Sequence, residues 1–119
     1  MNTLFRLLRY VAFATALLVP FASSSAERVK IHLDQYNGYF SAKETLAGLK
    51  PGEYEFVVTN KAGKMAGFEL RDLATNVRLD MFPLDAGQTR STVVKITENG
   101  FRYRCPINPT PWYEVNVGK

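Results

Sequence analysis

The chain has one histidine, His32, and one cysteine, Cys105. A lone thiol cannot close a disulfide within the chain, so Cys105 is a metal ligand, a reactive thiol, an intermolecular link or a small buried hydrophobe. One imidazole cannot supply a centre that needs two. No nucleophile signature lies near His32, which excludes a Ser-His-Asp hydrolase. The chain also lacks a glycine-rich phosphate loop, a cysteine pair and an ordered carboxylate dyad. No cluster of Lys and Arg tracks a phosphate backbone. Charges of both signs are interspersed around a formal net charge of +4, which argues against nucleic-acid binding.

The N-terminal segment reads as a processing signal. Arg6 and Arg9 form a basic start, Tyr10 to Ala22 is apolar, and Ser23 to Ala26 supplies the small residues of a cleavage site after Ala26. The apolar stretch contains Pro20 and falls short of the roughly 20 residues a membrane span needs. The expected organisation is a cleaved signal peptide over residues 1–26 and one domain over 27–119, exported to the periplasm. Cleavage removes Arg6 and Arg9, so the working protein is less basic than its full sequence.

The remaining sequence reads as strands and turns. Val29, Ile31 and Leu33 alternate with Lys30, His32 and Asp34, the pattern of a half-buried strand. The turn Lys50-Pro51-Gly52 leads into Glu53–Asn60, rich in β-branched and aromatic residues. Further strands are predicted at Phe68–Leu70, extending towards Leu73, at Asn76–Asp80, Thr89–Thr97, Phe101–Cys105 and Tyr113–Val117. Ser41–Leu49 is the one segment left ambiguous. Short strands with regular turn signals predict an all-β fold, a β-sandwich or Greek-key barrel.

The order of these pieces resembles a cupredoxin: Pro51-Gly52, then Tyr54–Asn60, a loop, Phe68-Glu69-Leu70, the turn Asp85-Ala86-Gly87, Gly100-Phe-Arg-Tyr-Arg-Cys105, and Val115-Asn-Val117. The resemblance implies a cupredoxin-like Greek-key β-sandwich. Blue-copper members place one His before the aromatic strand, a Cys at the end of the penultimate strand, and a second His and a Met after it. Two imidazoles, a thiolate and a weak axial sulfur suit copper in both oxidation states. Here Ala66-Gly67 occupy the first His region and Pro106–Trp112 follow the Cys without His or Met. An ordinary blue-copper carrier is excluded.

A closer likeness is to the cupredoxin components of bacterial iron-uptake systems, the EfeO-type domain and the small FtrB-type partner of ferrous-iron permeases. The stretch Asn60 to Leu70, with a Glu beside the aromatic residue, and the Gly-x-x-Tyr-x-Cys approach carry this likeness. It implies a periplasmic metal-binding protein that acts with a membrane iron permease, in iron oxidation or hand-over, with an iron or copper ion at a site centred on Cys105 and Glu69. A carboxylate beside a thiolate suits iron or a borderline metal, whereas Cys105 with Met65 and Met81 would be an all-sulfur set for copper(I).

Each candidate has a plainer reading. Cys105 can be an inert core residue, Met65 and Met81 can fill gaps in the core, and strand alternation turns Glu69 to solvent. His32 shares a polar strand face with Lys30 and Asp34, and Asp72 and Asp80 are solvated strand-end carboxylates. Pro106, Pro109 and Pro111 stiffen the loop before Trp112 and Tyr113, which can shield a metal or dock a partner. The function classes left open are therefore a metal-binding iron-uptake component, a metal-free protein-binding module on the same scaffold, and a periplasmic copper(I) carrier. An iron-oxidising activity is the only enzymatic role that the sequence leaves in play.

Overall fold

The computed structural model describes residues 28–118. The expected signal peptide and its cleavage site lie outside these residues. Eight strands make up the regular structure: β1 (Val29–Tyr36), β2 (Tyr39–Ala42), β3 (Gly52–Asn60), β4 (Ala66–Asp72), β5 (Arg78–Leu84), β6 (Thr89–Ile96), β7 (Phe101–Arg104) and β8 (Tyr113–Val115). They form two four-stranded sheets, ordered β2-β1-β3-β6 and β5-β4-β7-β8. All neighbouring strands are antiparallel except β1 and β3, which run parallel. The architecture is a β-sandwich, as the strand pattern predicts.

Period-two alternation builds the core. Ile31 and Leu33 on β1, Phe56 and Val58 on β3, and Ile96 on β6 form the buried face of the first sheet. Phe68 and Leu70 on β4, Phe82 and Leu84 on β5, and Phe101 and Tyr103 on β7 face them from the second. Phe56 meets Phe101 edge to face, centroids 5.4 Å apart, and Phe68 meets Phe82 at 5.5 Å. Such aromatic pairs contribute about 0.5–1.5 kcal/mol each beyond the area they bury. The cost of this interior shows at Tyr103, where burial, with a smaller effect from neighbouring Tyr113, pushes the phenol up to about 12.

Several elements differ from the sequence expectation. β2 has no counterpart among the strands the sequence predicts, although Asn37-Gly38 is a hairpin signal. Asn37 at φ 55° and Gly38 at φ 110° supply the two left-handed residues of a tight hairpin turn. Ser41–Leu49 is no helix: β2 ends at Ala42 and bends and a turn follow. β5 runs past the predicted end at Asp80 and continues through Pro83 to Leu84. Its place at the sheet edge explains why a proline is tolerated there.

Two buried amides tie the loops to the sheets. Asn60 Nδ2 donates to the carbonyls of Lys64, Leu84 and Asp85, while its Oδ1 accepts from the Ala62 amide. Gln35 Nε2 donates to Gly67 O at 2.6 Å and its Oε1 accepts from Gly38 N at 2.6 Å. Gln35 thus joins β1 of one sheet to β4 of the other.

Candidate functional site

The register of the second sheet places its outward residues in rows. Met81 lies opposite Glu69, and Glu69 opposite Arg104. In the next row Arg78 lies opposite Arg71, Arg71 opposite Arg102, and Arg102 opposite Glu114. Trp112, one residue before β8, completes the first row beside Arg104. The Arg104 guanidinium carbon is 4.2 Å from the indole centroid, that of Arg102 is 4.3 Å away, and that of Arg71 is 5.8 Å away. Arginine stacks well on indole because its planar cation meets the negative face of the ring.

Glu69 lies at the centre of this face. Alternation turns it away from Phe68 and Leu70, as the sequence predicts, yet it is only 2% exposed. The arginines take the place of solvent. Arg71 donates from Nε at 2.9 Å and Nη2 at 2.8 Å to Oε2. Arg78 Nε reaches Oε2 at 3.2 Å, and Arg104 Nε reaches Oε1 at 3.5 Å. Burial opposes ionisation of Glu69, but the hydrogen bonds and charge of Arg71, with Arg78 and Arg104, outweigh it and hold the carboxyl below its usual range.

Cys105 belongs to the other side of the sheet. It continues the inward series Phe101, Tyr103 and is fully buried. Its Sγ accepts the Asn108 amide at 3.4 Å, which folds the chain back over the sulfur. The loop beyond is tied down: Asn108 Nδ2 donates to Asn37 O at 2.8 Å, and Thr110 Oγ1 donates to Gly38 O at 2.7 Å. Gly67 faces Pro106 so closely that a Cβ there would lie 3.2 Å from the proline ring.

The two methionines are surface residues. Met65, in the loop just before β4, is 52% exposed, and Met81, beside Glu69, is 42% exposed. The four candidate ligands therefore fall into two pairs. Cys105 and Met65 share the loop end of the sandwich, while Glu69 and Met81 share its outer face. Cys105 and Glu69 point to opposite sides of one sheet and do not converge on one ion. Among the described residues, no three His, Cys, Asp or Glu side chains come together as a group that could hold a metal ion.

His32, Glu44 and Asp72 have structural partners. His32 Nδ1 lies 2.6 Å from Glu44 Oε2, and the His32 amide donates to Oε1 at 2.6 Å. Burial opposes ionisation of Glu44, but these His32 contacts lower its pKa overall. Asp72 caps the turn after β4 by accepting the amides of Ala74 and Thr75. Sequence reasoning missed Arg71, Arg78 and Gln35. A signal existed for Gln35, a polar residue on the apolar phase Ile31-Leu33-Gln35. None existed for Arg78, whose approach to Glu69 depends on the register of β5. No family model matches the chain, and no curated protein matches it.

Proposed function

We propose that this chain is a periplasmic component of cupredoxin-like Greek-key fold that works beside a membrane ferrous-iron uptake system, and that it does so by binding a partner protein rather than through a self-contained metal centre. The fold part of this reading is supported by the strand orders β2-β1-β3-β6 and β5-β4-β7-β8, with one parallel pair. The link to iron uptake rests on the likeness of the Asn60–Leu70 and Gly100–Cys105 stretches. One observation carries the choice of mechanism. The carboxylate that the likeness would assign to iron is bound by Arg71, Arg78 and Arg104, on the face opposite Cys105. A cation entering there would have to displace three guanidinium groups.

The test is an anaerobic titration of the chain from Glu27 to Lys119 with Fe(II), Cu(I) and Cu(II), alongside Cys105→Ser and Glu69→Gln. The expected result is no stoichiometric site that needs both residues. Tight binding lost in both variants would overturn the partner-binding reading.

A second reading has its own observation. Asn108 N donates to the buried Cys105 Sγ, so the sulfur sits directly under the loop that follows β7. With Met65 at the same end of the sandwich, this favours copper(I) carriage at a site that a partner completes. Copper(I) binding that falls on Cys105→Ser and Met65→Leu, and not on Glu69→Gln, is the outcome that would select it.

A further inference from the structure

We infer that the outer face of the second sheet is a docking surface for an acidic polypeptide segment of a partner protein, with Arg78 and Arg104 receiving carboxylates and an apolar hollow beside Pro106 receiving a hydrophobic side chain. This rests on the partner-binding reading above and names the surface and the chemistry of what it binds.

The charge on this face is unbalanced. Arg71, Arg78, Arg102 and Arg104 stand against Glu69 and Glu114, so the face keeps an excess of positive charge. The arginines are also unequally used. Arg71 commits Nε and Nη2 to Glu69 and Nη1 to Asn76 O. Arg78 and Arg104 reach Glu69 through Nε, and among the described residues their terminal nitrogens donate to no protein acceptor. Their side chains are 49% and 32% exposed, against 3% for Glu69. Two guanidinium forks therefore present free, paired donors outward, the geometry that matches a carboxylate.

The same contacts fix these forks in advance. Glu69 holds each guanidinium through Nε, and Trp112 supports Arg104 from the indole side. An arginine already immobilised in the free protein loses less entropy on binding than one that must be ordered by its partner. The buried carboxylate thus serves to aim cations rather than to coordinate an ion.

The apolar half of the surface adjoins the first row. Met81, Phe82, Pro83, Pro106 and Ile107 line a hollow. Gly67 lies beneath it, with no side chain between Pro106 and the Phe82 carbonyl. Ile107 is 50% exposed and Met81 42%, so both side chains at the hollow are open to a partner. An apolar anchor beside a rim of cations is the arrangement by which protein interfaces combine affinity with orientation. A nucleic acid fits less well. The indole that could stack a base already stacks arginine, and the cations form a compact cluster rather than a track.

Trp112 is the only tryptophan in the chain, so its fluorescence reports on this face. The experiment titrates the Glu27–Lys119 chain, which contains both sheets and the core of the described residues, with a short peptide of alternating Glu and Leu. Parallel titrations use its Gln-Leu counterpart, inorganic phosphate, and phosphatidylglycerol vesicles. The expected result is a saturable change with the Glu-Leu peptide, with affinity about tenfold weaker for Arg78→Gln, the scale of one charge-assisted contact, and weaker still for the Gln-Leu peptide, which offers a carboxylate to neither arginine. Ile107→Asp, on an exposed loop, should weaken binding without altering the fold. Equal binding of both peptides, an equal response to phosphate or vesicles, or no response to any probe overturns the proposal. Peptide binding indifferent to Arg78→Gln and Ile107→Asp also overturns this surface but leaves the partner-binding reading standing. That reading is tested separately by the metal titration.

Discussion

Arg104 lies between Glu69 and Trp112, its Nε 3.5 Å from the Glu69 carboxylate and its guanidinium carbon 4.2 Å from the indole centroid. One side chain thereby joins a buried anion to the loop that follows Cys105. The stability of the outer face and the placement of that loop depend on the same contacts.

Replacing Glu69 by Gln should destabilise the fold by about 2–4 kcal/mol, somewhat less than loss of a fully buried partner because the arginines keep contact with water. Urea unfolding measures this directly. A change below about 0.5 kcal/mol, the scale of an ordinary surface substitution, would show that the arginine network contributes little.

Acid should act through the same residue. The folded Glu69 carboxyl sits below its ordinary value, because Arg71, Arg78 and Arg104 outweigh the cost of burial. Its contribution is fully present above the unfolded value of about 4.3 and is lost as pH falls through the lower folded value. Glu44 and Asp72 shift in the same direction. Stability should therefore fall below about pH 4 and flatten partly in Glu69→Gln. A Glu69→Gln profile parallel to the parent's would contradict this assignment.

Asn60→Ala removes a side chain that serves three carbonyls and one amide at the loop end of the sandwich. Leaving buried polar groups without partners costs about 1–3 kcal/mol. Thermal melting should register the loss, and hydrogen exchange should quicken first at the Ala62 amide, whose bond goes to Asn60 Oδ1.

Cys105 should resist thiol reagents in the folded chain, since it is fully buried under a loop tied down by Asn108 and Thr110. Asn108→Ala and Thr110→Val each remove one tether. At about 1 kcal/mol per hydrogen bond, each should raise the labelling rate about fivefold by easing local opening. Labelling as fast as a free thiol in the parent would contradict the burial.

The strands were legible because their signals are local. Val29–Leu33 alternates as a half-buried strand does, Glu53–Asn60 and Thr89–Thr97 are rich in β-branched residues, and Pro51-Gly52 and Asn99-Gly100 punctuate them. The inward direction of Cys105 follows from the same alternation through Phe101 and Tyr103. The sequence by itself thus determined the all-β class, most strand positions and the phase of β1, β4 and β7, since period two is a property of the backbone. Tertiary structure alone decided what lies opposite what. The register of β5 against β4 brings Arg78 to Glu69, and the pairing of β7 with both β4 and β8 brings Arg104 to Glu69 and Trp112. Arg104 is 35 residues from Glu69, and Arg78, nine residues away, reaches it only through the register of the neighbouring strand. Nothing local distinguishes a carboxylate that will meet water from one that will meet three arginines, so the fate of Glu69 was set when the strands paired.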